Sequence, residues 1–228
     1  MPGTPALSPK RAAKLKAKKH REAERLFLAE GTLLLEEAPT APLQVFDEVE
    51  QLRRVSTLKT LAGPVGVFPF LDVNAQKLLS SVQTVVLLHG VQDPGNVGTA
   101  IRSAHAFGAG VALSRGSADL YNPKTVRATM GSIFHTPVAR EFETVDFLTE
   151  AGDAEFTLIA AVPEAGDTPR SLPAGRLLVC IGAEGSGLPE EVMRACEMRV
   201  TIPSLATSLN ASVAASILLY EAYSRVLP

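Results

Sequence analysis

The stretch "TVVLLHGVQDPGNVGTAIRSAHAFGAGVAL", Thr84 to Leu113, decides the fold. It opens on an uninterrupted apolar run, Thr84–His89, which reads as a strand buried on both faces. "DPGN", Asp93 to Asn96, then supplies turn residues, with Asn96 placed as a helix N-cap. Val97, Ala100, Ile101, Ala104 and Phe107 follow at helical spacing, and Gly108 stands where a helix stops. A second apolar run starts at Gly110 and continues to Leu113. Strand, turn, helix and strand in that order make a βαβ unit.

Working outward, the alternation continues. Strands are expected at Thr136–Ala139, Phe156–Val162, Leu177–Ile181 and Arg199–Ile202, and helices at Pro123–Met130, Val145–Ala151, Pro189–Ala195 and Asn210–Val226. The pattern implies an α/β fold with a mainly parallel sheet and helices on both faces. Ligands of such sheets bind beyond the carboxyl ends of strands, so chemistry belongs in the loops after His89, Val162, Ile181 and Ile202. Upstream, residues 10–36 read as one or two helices, basic first and then apolar through "LFLAEGTLLLEEA", with Gly31 interrupting. Between Pro39 and Phe70 the β-rich runs "LQVFDEV" and "VGVFPF" flank the turn signal Gly63-Pro64, as in a small α+β module. Residues 71–82 read as a linker helix. The chain divides accordingly into a basic arm (1–21), a small unit with its linker (22–82) and the α/β domain (83–228).

With 228 residues, 46% of them hydrophobic, the chain can bury a core without covalent staples. No apolar run reaches the roughly 18 residues that a bilayer span needs. The basic N-terminal stretch is followed by the polar "REAER" and not by an apolar signal core, so a cytoplasmic protein is expected. Cys180 and Cys196 form no C-x-x-C and do not cluster in sequence with His20, His89, His105 or His135; reduced cysteines and no metal site are the expectation. The net charge of −2 hides an asymmetry: residues 1–21 hold seven of the 22 bases and no acid, leaving 15 bases against 24 acids beyond them. Such an arm is either a solvated tail or a phosphate contact, with Lys14, Lys18, Lys19 and Arg21 as the candidate RNA-binding residues.

Four stretches could carry chemistry. Arg102 lies just off the apolar stripe of its helix, close to a strand end; it is either a solvated charge or a planar fork for a phosphate. "IGAEGSGLPEEV" places Gly182, Gly185 and Gly187 around Glu184 directly after an apolar strand. Its G-x-x-G-x-G spacing is neither a dinucleotide fingerprint nor a P-loop, yet a carboxylate among glycines has little local structural purpose. In "IPSLATSLNASVAASILLYEA", Ser204, Thr207, Ser208 and Asn210 crowd one loop where a single cap, Ser208 or Asn210, would suffice. Leu209, Val213, Ile217 and Leu218 are the expected buried stripe of the helix that follows. "NPKTVRATMGSIFHTPVA" offers Lys124 and Arg127, either as an exposed helix face or as contacts to a polyanion.

In order and spacing, the first three of these motifs resemble those of the SpoU/TrmH family of RNA 2′-O-ribose methyltransferases, in the SPOUT superfamily. The segments "KHREAERLFLAEGTLLLEEA" and "STLKTLAGPVGVFPF" are similar to the beginning and end of the substrate-RNA-binding domain that many such enzymes carry, here abbreviated. The resemblance implies a C-terminal trefoil knot, which is an exception to unthreaded chain topology. It further implies S-adenosylmethionine held by backbone around Gly182, Ile202 and Leu209, and a homodimer with its active site at the interface. The matching catalytic positions are Asn96, Arg102, Glu184, Ser208 and Asn210. Arginine is a poor general base, so Arg102 is expected to orient the nucleotide and stabilise a developing alkoxide. The implied activity is methylation of a ribose 2′-hydroxyl in structured RNA, with ribosomal RNA as the expected substrate. The alternatives are a tRNA ribose methyltransferase and a non-catalytic RNA-binding protein that keeps the knotted fold; a retired enzyme would have no reason to keep all five residues.

Overall fold

The apolar runs pair as a sheet because each has a hydrophobic layer to bury on both sides. The computed structural model describes residues 7–225. At the N-terminal end, α1 (Pro9–Ala12), a 3₁₀ turn (Ala13–Lys16) and α2 (Lys18–Glu24) lead into β1 (Leu26–Glu30), α3 (Thr32–Glu36), β2 (Gln44–Phe46), α4 (Val49–Val55) and β3 (Val65–Pro69). Then follow α5 (Ala75–Ser81), β4 (Thr84–Leu88), α6 (Pro94–Ala106), β5 (Gly110–Ser114), α7 (Pro123–Ala128), β6 (Val138–Phe142), α8 (Thr144–Asp153) and β7 (Phe156–Ala161). The chain continues through β8 (Arg176–Ile181), α9 (Glu190–Ala195), β9 (Met198–Val200) and α10 (Ala211–Ser224).

Strands β4 to β9 form one six-stranded sheet in the order β6-β5-β4-β8-β7-β9, and every neighbouring pair is parallel. Alternate residues feed two cores. Val86, Leu88, Val111, Leu113, Val179 and Ile181 pack under α6 and α10. Val85, Leu87, Ala112, Leu178 and Cys180 pack under α5, α8 and α9. Such two-sided burial is why these strands read as continuous apolar runs and not as alternating ones. The expected strand at Thr136–Ala139 lies two residues later, at Val138–Phe142, where the register shifts between Leu113 and Ser114. The edge strand β9 is shorter than the Arg199–Ile202 expected.

The N-terminal unit departs further from the expectation. "LFLAEGTLLLEEA" is a strand, a glycine hinge and a short helix, not one helical run. Arg25 ends α2 in the left-handed region (φ 54°), and Gly31 (φ 114°) separates β1 from α3. All five residues of β1 are buried, because its two faces serve different cores. Leu26 and Leu28 pack with Ala12, Leu15, Phe46, Leu52, Val55, Val65 and Val67. Phe27 and Ala29 join Phe68 and Tyr121 in the core that also holds the α6 side of the large sheet. A strand buried on both faces carries no period-2 signal, and a short apolar run cannot be told from a helix by periodicity. Strands β1 and β2 flank β3 antiparallel, in the order β1-β3-β2.

The basic segment is folded onto this unit, with Ala12 and Leu15 fully buried. Arg21 is 3% exposed. Its guanidinium donates to the carbonyls of Leu15 and Lys16 at 2.8 Å and to Asp119 Oδ2 at 2.5 Å. The expectation that Arg21 reaches out to RNA is thereby corrected: its charge is spent inside the protein. Lys18 reaches Glu141 at 2.8 Å, while Lys14 and Lys19 stay exposed.

Candidate active site

Strand order sets the site. From β4 the chain adds β5 and β6 on one side, while β8 lies on the other, so the β4 and β8 ends flank a crevice where order reverses. The loops after β4 and β8 meet there, and the segment between β9 and α10 joins them.

Asp93, not Asn96, caps α6: its carboxylate accepts from the Asn96 N–H at 3.0 Å, and Pro94 occupies the first turn. That hydrogen bond, with help from Lys124, holds the Asp93 carboxyl below the usual carboxylate range. Relieved of capping, the Asn96 side chain donates to Glu184 Oε1 at 2.6 Å. Asn210 donates to the same oxygen at 2.9 Å and to Asn96 Oδ1 at 3.0 Å. Its own Oδ1 accepts from the N–H groups of Ser212 and Val213 and so caps α10. Ser212, 5% exposed, bridges Asn96 Oδ1 at 3.3 Å and Asn210 Oδ1 at 2.7 Å. Among the described residues the second oxygen of Glu184 has no hydrogen-bond partner.

Glu184 rides on a tight loop in which Gly187 N–H donates to Ala183 C=O at 2.9 Å and Gly185 and Gly187 take positive φ. Gly182 is required by crowding: a Cβ there would lie 2.2 Å from the Gly187 carbonyl carbon. This loop separates two cavities. One, of about 770 Å³, is lined by Gly182, Ile202, Ser208 and Leu209 together with Leu188 and Met193. The other, of about 650 Å³, includes His89, Gln92, Asp93 and Ser186, and Glu184 borders both. His89 holds Thr144 Oγ1 at 2.8 Å through Nδ1, and burial pushes its imidazole below the ordinary value.

Of the sequence-predicted residues, the structure brings Asn96, Glu184 and Asn210 into direct contact and sets Gly182, Ile202, Ser208 and Leu209 around the neighbouring cavity. Arg102 stands apart. It is exposed on α6 and, among the described residues, makes no hydrogen bond or ion pair and lines neither cavity. Sequence reasoning missed Ser212 and Asp93. A serine two residues beyond a cap was the available signal for the first, and Asp before Pro for the second.

An α/β domain with a loop-lined cavity and a carboxamide–carboxylate cluster at its switch point is a ligand-binding enzyme scaffold. Residues 83–220 match the SpoU rRNA Methylase family. A 23S rRNA (guanosine(2553)-2′-O)-methyltransferase of Bacillus subtilis, RlmP, is 31% identical over 91% of this chain and 92% of its own. An AdoMet-bound rRNA methyltransferase from Sinorhizobium meliloti superposes with a TM-score of 0.86 at 28% identity, covering 96% of this chain and 95% of that one. The SpoU methyltransferase AviRb from Streptomyces viridochromogenes, in complex with AdoMet, gives a TM-score of 0.77 at 26% identity, covering 95% of this chain and 97% of its own. The chain belongs to the SpoU rRNA methylase family.

Proposed function

We propose that this protein is an S-adenosylmethionine-dependent methyltransferase acting on a ribose 2′-hydroxyl of structured RNA, with ribosomal RNA as the substrate. The observation that carries the reading is the convergence of Asn96, Glu184 and Asn210, from three distant segments, at the rim of a cavity bounded by the glycine loop. The residues present fit the cofactor. Gly182 admits backbone where no Cβ fits, and the N–H groups of Ile202 and Leu209 have no partner among the described residues. Leu188, Met193 and Leu209 offer apolar walls. When bound, the cofactor supplies an electrophilic methyl group.

Asn96 and Asn210 hold the Glu184 carboxylate in one orientation, which leaves its second oxygen for a ligand hydrogen bond. Ser208 lines the same cavity beside Leu209 and presents its hydroxyl as a further polar group for the reacting nucleotide. Arg102 orients the nucleotide and stabilises the alkoxide as the 2′-hydroxyl loses its proton; orientation matters because in-line displacement needs the oxygen close to the methyl carbon. Its isolation from the cluster of its own chain supports a homodimer in which the site is completed across the interface. So does the exposed apolar row of Val213, Ile217 and Tyr220 on α10, the helix packed beside α6. A trefoil knot in the C-terminal segment is supported by the path from edge strand β9 back past the glycine loop to α10, which packs over β4 and β8. Among the described residues no helix is long and apolar enough to cross a membrane, and no three His, Cys, Asp or Glu residues cluster as metal ligands. The 23S rRNA methyltransferase among its relatives supports a cytoplasmic enzyme.

Arg102→Ala is expected to lower methyl transfer by about 100-fold or more, in the range of a lost acid–base or electrostatic group, with cofactor affinity near wild type. Turnover close to wild type would remove Arg102 from the mechanism. Mapping ribose methylation across total RNA, with and without the gene, tests the activity itself: no changed site would overturn it.

A further inference from the structure

A third cleft, of about 410 Å³, opens where the N-terminal unit meets α7, away from the glycine loop. Lys16, Lys59, Lys124 and Arg127 line it together with Thr57 and Asn122, and no carboxylate is among its lining residues. This is unexpected in a chain that carries 24 acids against 15 bases beyond its first 21 residues. Only Lys124 and Arg127 have carboxylate partners, Asp93 at 3.3 Å and the buried Glu30 at 4.0 Å, so positive charge is in excess and the arrangement suits an external anion.

Three of the four cations are held by contacts within the protein. Lys16 Nζ donates to the Arg54 carbonyl at 2.8 Å. Arg127 donates to Thr57 Oγ1 at 2.6 Å, with the buried Glu30 4.0 Å away. Lys59 is exposed and has no ion pair among the described residues. Lys124 also reaches Asp93 Oδ2 at 3.3 Å. Asp93 caps α6, three residues before Asn96, so one wall of the cleft borders the loop that positions the proposed active site.

Resting on the methyltransferase reading, we infer that this cleft is a phosphate clamp. It grips the substrate RNA backbone across the junction of the two units and delivers the neighbouring nucleotides toward Asn96 and Glu184. Cations contributed from two units by long side chains, without a backbone cradle, suit successive phosphodiesters better than one small anion.

The test uses the full-length protein with in vitro transcribed 23S rRNA. Equilibrium binding is measured without cofactor over a salt series, and methyl transfer separately. For Lys59→Gln/Lys124→Gln the slope of log K against log salt should fall by about 1.5, each lost phosphate contact being worth about 0.7–0.9. The KM for RNA should rise about tenfold with kcat retained. Lys59→Gln alone, which leaves the Lys124–Asp93 pair intact, should give about half the slope change with unaltered thermal unfolding. Arg53→Gln/Arg194→Gln, a matched charge loss outside the cleft, should leave the slope unchanged.

A double variant with wild-type slope and KM would overturn the clamp even if methyl transfer is normal. Saturable competition by inorganic phosphate at constant ionic strength would also overturn it, in favour of a small-anion pocket. A cleft-dependent slope without any methyl transfer would uphold the clamp while removing the enzymatic reading, so the two failures are separable.

Discussion

Arg21 illustrates how position outranks residue type. In sequence it is the last of seven bases in an acid-free stretch and reads as a phosphate contact. In the fold its guanidinium satisfies two carbonyls and the Asp119 carboxylate, whose side chain is 11% exposed. Removing one partner of a buried pair leaves the other charge uncompensated, at about 3–5 kcal/mol. Arg21→Met is therefore expected to lower unfolding free energy by about 3 kcal/mol in a denaturant titration, with the salt slope of RNA binding unchanged. A slope change without loss of stability would return Arg21 to the RNA-binding set. Asn96 makes the converse point. Its residue type fits a helix cap, but Asp93 takes that work, so its side chain is available to meet Glu184 and Asn210.

At the scale of elements, α10 departs from its expected pattern. Val213 and Ile217, read as part of the buried stripe, are 45% and 36% exposed, whereas Ala211, Ser212, Ala215, Leu218, Leu219 and Ala222 are buried. The helix is apolar nearly all round, so periodicity could not choose its inner face. Its packing against α6 decided it, through Ser103–Ser216 at 2.6 Å and Phe107–Tyr220 with ring centroids 5.7 Å apart. The apolar side left outward is the proposed dimer face. Ile217→Asp should shift the protein from dimer to monomer in sedimentation velocity at micromolar concentration and abolish turnover. A wild-type protein that sediments as a monomer would remove the dimer.

At the scale of the whole molecule, the two units share a core. Phe27 and Phe68 of the small sheet pack with Tyr121 and Phe134 of the large domain, with Phe27–Tyr121 centroids 4.9 Å apart. The Tyr121 hydroxyl accepts from the N–H groups of Leu71 and Asp72 at 2.6 and 2.7 Å and donates to Asp72 at 2.6 Å. Burial, first, and the Asp72 carboxylate push its phenol well above the ordinary range, so it stays a donor throughout the working pH range. The chain is expected to unfold in one transition by calorimetry and circular dichroism. Tyr121→Phe leaves two half-buried donors, the Leu71 and Asp72 N–H groups, without their acceptor at about 1 kcal/mol or more, moving that transition down without splitting it. Two resolved transitions in the wild type would show that the units fold independently.

The sequence by itself determined the alternating parallel domain, because strands covered on both faces must be apolar throughout and the helices between them carry caps and stops. It also determined which residues to examine, since Asn96, Glu184 and Asn210 exceed what local capping and turning require. Only the tertiary structure decided that these three meet. Their contacts span 26 to 114 positions and depend on β4 lying beside β8. It alone turned "LFLAE" into a strand, drew Arg21 inward and gathered Lys16, Lys59, Lys124 and Arg127 into one cleft. The physical reason is common to all: burial and charge are settled by what a neighbouring element brings to the contact, and that neighbour is remote in the chain.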